Sequence, residues 1–174
     1  MLLAEAVNLA SLEGQLAPLL RSRFGAEAHI EDLQPLAGDA STRSYARAWV
    51  AGGSASPTVV VMLLADRGLA ISSEELAVLP EIAELPFLNV HRFLQRLGSP
   101  VPEVFVDASG QGIVVLEDVG DTALRDAVEA ADAATRERLY RLAIDELLRL
   151  QIEGTRRATD DCIAFRQVFD ERLY

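Results

Sequence analysis

Every segment of this chain that reads as a β-strand lies before Asp118, and everything after Asp118 reads as helix. Three extended segments, 28–36, 44–50 and 58–64, are separated by Gly38-Asp39 and by Gly52, Gly53 and Pro57, which predicts an antiparallel meander. Two more strands, 103–107 and 113–117, are joined by a turn at 109–112. One helix is inserted between the third and fourth strands. It starts at Pro86, shows Phe87, Val90, Phe93, Leu94 and Leu97 on one face, and stops at Gly98 and Pro100. Ahead of the strands, Leu2, Ala6, Leu9, Leu12, Leu16 and Leu19 predict an amphipathic helix over 2–24, kinked or interrupted at Pro18 and stopped by Gly25. Residues 65–86 read as a loop with at most a short helix. This is an α+β plan.

After Asp118, either Asp121 or Thr122 can cap a short helix to about Ala130, and Asp132 a longer one with Leu139, Ala143, Leu147 and Leu150 on one face. A last segment, 160–174, places Phe165, Val168, Phe169 and Leu173 at helical spacing. The expected division is 1–118, strand-rich, and 119–174, helical.

At 174 residues the chain is long enough for one core. A net charge of −11 without a basic stripe repels a phosphate backbone, so nucleic acid is not an expected partner. All 16 basic residues are arginine, which removes every mechanism that needs a lysine amine. Cys162 is the only cysteine, and the histidines are His29 and His91, so neither disulfides nor a histidine-rich metal site is expected. Glu5 stands where a signal peptide carries positive charge, and the longest apolar run, 58–65, is far shorter than a membrane span; a cytoplasmic protein without a membrane partner is expected.

The residues that could carry chemistry fall into two groups. Gly38, Asp39, Ala40, Ser41, Thr42 and Arg43 form a turn between strands whose small residues let N–H and hydroxyl groups approach phosphate oxygens. An ordinary hairpin connection has the same composition, and the segment lacks the Gly-Lys pair of a Walker loop. Leu116, Glu117, Asp118 and Val119 end the fifth strand, where an apolar run passes at once into a polar turn. The carboxylates of Glu117, Asp118 and Asp121 read as a solvated acidic turn, with no metal cluster implied. Glu74, Glu75, Glu81 and Glu84 read as a solvated loop. His29, His91 and Trp49 read as structural.

The string GDAS-x-R-x-Y, a VVVM strand, PFLNVHRFLQRLG-x-PVPEV and IVVLEDVGD occur in that order over 36–121, and LYRLAIDELLRLQ and FRQVFDERLY follow. This succession resembles the N-terminal half of the aminoglycoside phosphotransferase and choline kinase superfamily, closest to the bacterial anomeric N-acetylmuramate/N-acetylglucosamine kinases. The resemblance implies a kinase-like small lobe followed by the first helices of a large lobe, and ATP, with magnesium in the complete enzyme, as cofactor. It implies that Gly38 to Arg43 cover the phosphates and that the Leu116–Val119 backbone meets the adenine. Met62 stands where protein kinases place a phosphate-binding lysine; by packing it reads as a core residue, and Arg43 reads either as a substitute phosphate ligand or as an exposed strand arginine.

The superfamily carries its acceptor-activating aspartate on a His-x-Asp loop, and no His-x-Asp occurs in this sequence. No catalytic base and no metal ligand is therefore assigned. The expectation is the nucleotide-binding part of an amino-sugar kinase of cell-wall recycling, truncated and inactive alone. The alternative is a pseudokinase-like binding module that self-associates or takes a protein partner.

Overall fold

The computed structural model describes residues 9–37, 43–53, 58–64 and 84–166. The phosphate turn expected at 38–42, the loop over 65–83 and the end of the chain from 167 lie outside the described residues. The chain divides into two compact units, Met1–Ser72 with Pro102–Val119, and Ser73–Val101 with Gly120–Tyr174.

The first unit is a five-stranded antiparallel sheet with a helix on one face. Its helix, α1 (Leu9–Phe24), buries Leu12, Leu16, Leu20 and Phe24 at four-residue spacing. It runs through Pro18 without a break, and Pro18 and Gly14 are both exposed, so the carbonyl that proline leaves without an N–H partner faces water. The strands are β1 (His29–Leu36), β2 (Ser44–Ala51), β3 (Thr58–Leu63), β4 (Val104–Ala108) and β5 (Ile113–Glu117), in the spatial order β1-β2-β3-β5-β4. The meander, the later hairpin and their bounds agree with the sequence reading to within about one residue.

Alternation within the strands sorts side chains onto two faces. Ala46, Ala48, Val50, Val59, Val61, Ile113 and Val115 join α1 in one buried cluster. Two bulges interrupt the ladders, between Ile30 and Asp32 and between Val104 and Val106. At the second, the Phe105 ring meets Phe24 edge-on at 5.3 Å, and the Arg23 guanidinium lies over both rings. Gly52 is required by its turn: its φ is +77°, and a Cβ would stand 2.1 Å from the Glu27 carbonyl oxygen.

The second unit contains α2 (Pro86–Leu97), α3 (Leu124–Ala130), α4 (Ala133–Arg156) and a short 3-10 turn, Ile163–Phe165. It includes α2, which a single cut at 118 assigns to the strand-rich part. Local chemistry explains this grouping. The Asn89 side chain donates to the Asp161 carbonyl at 2.8 Å and accepts from the Ile163 N–H at 2.9 Å, and Arg149 of α4 donates to the Gly98 carbonyl at 2.7 Å. Gly98 takes the left-handed conformation that closes α2, as expected. The buried face of α2 is Leu88, Asn89, Phe93 and Leu97, rotated from the face expected, because a satisfied amide takes a core position.

Two further expectations change. Neither Asp121 nor Thr122 caps α3; Ala123 occupies that position without a side-chain bond. Instead Arg136 of α4 donates to the carbonyls of Val128 and Ala131 at the far end of α3. Asp132 caps α4 as read, accepting from the Thr135 N–H at 2.7 Å. On α4, however, Leu147 and Leu150 are exposed while Leu139 and Ala143 are half-buried. Glu84 is not a lone solvated carboxylate either: it pairs with Arg92 at 2.7 Å and accepts from Asn89 at 3.2 Å.

Candidate functional site

The sheet face opposite α1 carries Tyr45 and Arg47 on β2, Val60 and Met62 on β3, and Val114 and Leu116 on β5. Register places Arg47 opposite Val60 and Val60 opposite Leu116, with Tyr45, Met62 and Val114 forming the adjacent row. Met62 and Val114 are wholly buried and Leu116 nearly so, which fits the reading of Met62 as a packed core residue. Arg43 precedes β2, next to the Ser44–Leu63 pair that ends the ladder with β3.

The residues from Leu116 to Val119 point in alternating directions. Leu116 packs on the sheet face described above. Glu117 turns to the β4 edge, where its carboxylate accepts the Glu103 N–H at 3.0 Å while its own N–H donates to the Glu103 carbonyl at 2.8 Å. Asp118 turns back, and its carboxylate meets Arg47: Nε lies 2.7 Å from Oδ2, and Nη2 donates to Oδ1 at 3.1 Å. The side chains of this pair are 15% and 6% exposed. Val119 is 73% exposed.

The reading of Asp118 as part of a solvated acidic turn is therefore overturned, whereas Glu117 is exposed as that reading has it. An aspartate at the end of a buried strand faces a low-dielectric surface, and a guanidinium from two strands away neutralises it there. Neighbouring strands lie about 4.8 Å apart, so Arg47 spans roughly 10 Å across β3 to reach this linker. Sequence reading missed Arg47. Its signal was a cation alternating with Ala46, Ala48 and Val50 on a central strand, a position where charge needs a partner.

A family model described as APH, phosphotransferase enzyme family, matches residues 32–161. That is well over half of the chain, and it runs from β1 through the linker to the carbonyl that Asn89 holds. The chain belongs to this phosphotransferase family. Neither the curated proteins nor the solved structures give a match.

Other chemistry-bearing side chains have structural partners. His29 Nδ1 lies 2.9 Å from the Glu27 carbonyl, and the His91 ring stacks on Phe87. Cys162 is buried beside Phe93 and Leu97. Among the described residues no three His, Cys, Asp or Glu side chains are grouped as metal ligands. Among the described residues no helix is long and apolar enough to cross a membrane.

Proposed function

We propose that this chain binds ATP on the sheet face opposite α1 and is the nucleotide-binding part of a small-molecule kinase. In this reading the backbone of Leu116, Glu117, Asp118 and Val119 meets the adenine edge. Because β5 is flanked by β3 and β4, its ladder groups are engaged within the sheet, and the new hydrogen bonds to a base come from Asp118 onward. Gly38, Asp39, Ala40, Ser41, Thr42 and Arg43 cover the phosphates, with Arg43 supplying charge that Met62 does not. Met62 acts by packing under the site.

The family match over 32–161 carries this proposal, since it runs through both the strand-rich unit and the linker. ATP with magnesium is the cofactor that family membership suggests. The described carboxylates form no cation-binding group. The resemblance to anomeric amino-sugar kinases suggests a sugar hydroxyl as acceptor. Without a His-x-Asp in the sequence to activate that hydroxyl, these residues alone bind nucleotide and do not turn it over.

A fluorescent ATP analogue tests the site. It should bind saturably and be displaced by ATP, and Arg43→Ala should weaken it by about tenfold, as expected for the loss of a charged phosphate contact. Displacement that is equally effective for both proteins would remove Arg43 from the site. Measurable phosphoryl transfer by rigorously pure protein would overturn the assignment of no turnover.

A second reading, a binding module that associates with itself or a protein, draws on one observation. Helix α4 exposes Tyr140, Leu142, Ile144, Leu147, Leu148, Leu150 and Ile152. A helix with apolar residues around so much of its circumference is ordinarily covered. Sedimentation over a range of concentrations distinguishes the two: a monomer throughout excludes self-association.

A further inference from the structure

We infer that Arg47 is a positioning residue for base recognition: it touches no ligand, and it fixes the direction of the linker backbone by clamping Asp118. The inference rests on the nucleotide reading above and adds a residue and a role to it.

The argument starts from cost. Withdrawing a guanidinium and a carboxylate from water to the extent seen here carries a desolvation penalty that the attraction between them repays only in good geometry, and well-packed apolar residues commonly serve stability as well. The contact must therefore be judged by what it specifies. Asp118 is the first residue beyond the β5 ladder, where strand pairing no longer sets the backbone. Glu117 is drawn towards the β4 edge by the Glu103 N–H, and Asp118 is drawn the other way by Arg47 on β2. Two successive residues anchored on opposite sides leave the peptide between them little rotational freedom. The N–H and C=O groups that follow are then aimed before any ligand arrives, which is what selective pairing to one base edge requires.

The planar guanidinium matters here. Nη2 donates to Oδ1 while Nε lies 2.7 Å from Oδ2 as an ion-pair contact outside hydrogen-bonding geometry, so one carboxylate is held at both its oxygens. Lysine offers a single point charge. Arg47 also differs from a phosphate ligand, because its charge is already committed to Asp118.

The test titrates ATP, GTP and inorganic tripolyphosphate into the full chain and into Arg47→Met, Arg47→Lys, Asp118→Ala and the Arg47→Met/Asp118→Ala double variant, with thermal melts to establish folding. Wild type should bind ATP in preference to GTP. Arg47→Met should lose about tenfold in ATP affinity and most of that preference, while tripolyphosphate binding stays unchanged, as misaligned but intact recognition groups imply. Asp118→Ala should do the same, and the double variant should lose no more than either single one. If Arg47→Met does not fold, Arg47→Lys carries the comparison, keeping the charge and losing the second contact, with a reduced ATP preference expected. A folded Arg47 variant with wild-type ATP affinity and preference overturns the positioning role and leaves the nucleotide site standing. Equal losses for ATP and tripolyphosphate also overturn it, by making Arg47 a phosphate ligand. A wild-type chain that binds none of the three overturns the nucleotide reading and the positioning role together.

Discussion

Asn89 engages both ends of its amide: the nitrogen donates to Asp161 and Glu84, and the oxygen accepts from Ile163. Replacing it with alanine leaves the Ile163 N–H and Asp161 carbonyl without these partners, and should cost about 2–3 kcal/mol in urea unfolding. Asn89→Asp keeps the acceptor, loses the donor and places a carboxylate against a carbonyl, so it should be no better than alanine. At the same scale, the Thr135 backbone N–H holds Asp132 below the ordinary aspartate range. A carboxyl whose folded pKa is depressed adds stability above its unfolded pKa and loses it as pH falls through the folded value. The destabilisation caused by Asp132→Ala should therefore be full at neutral pH and shrink only below the ordinary aspartate value, measured as melting temperature against pH. Asp132 was legible in the sequence because its partner is three residues away. Asn89 and Arg47 were not, because Asp161 and Ile163 lie 72 and 74 positions from Asn89, and Asp118 lies 71 from Arg47, where no local pattern points.

Among the elements, the strands were the most legible part, since glycine and proline punctuate them and their alternation matches a sheet with one face against α1. The extents of α2, α3 and α4 were also readable, but the described part of the helix expected over 160–174 is a turn with a 3-10 segment at Ile163–Phe165, and helix faces were not readable. Periodicity marks which residues are apolar, but α2 buries an asparagine and α4 exposes seven large apolar side chains. Two substitutions separate buried from exposed leucines. Leu16→Ala, in a wholly buried position of α1, should cost about 3 kcal/mol in chemical denaturation. Leu147→Glu, on the exposed side of α4, should change stability by less than about 0.5 kcal/mol, and should dissociate any oligomer seen by sedimentation. A large loss of monomer stability in Leu147→Glu would show that this face is covered within the molecule. Arginines supply much of the helix capping: Arg136 serves α3, and Arg149 and Arg157 of the α4 end donate to the Gly98 and Arg96 carbonyls closing α2. A guanidinium reaches such carbonyls with several donors, which gives the all-arginine composition a use within the fold.

At the scale of the whole molecule, the order of landmarks along the chain pointed to a phosphotransferase, and the family match bears that out. The grouping of α2 with the later helices was not legible, because it depends on side chains that tie α2 to residues 149–163. Of the candidate site, the linker was legible as a strand end rich in carboxylates, and its buried clamp was not. A strand-rich unit with one face committed to α1 and the other leading to an anchored linker is the arrangement on which nucleotide binding is proposed. Calorimetric titration of Mg-ATP into the purified 174-residue protein tests that claim most directly. The account predicts saturable binding at a single site, without turnover in the cell; absence of any binding heat up to millimolar nucleotide would contradict it.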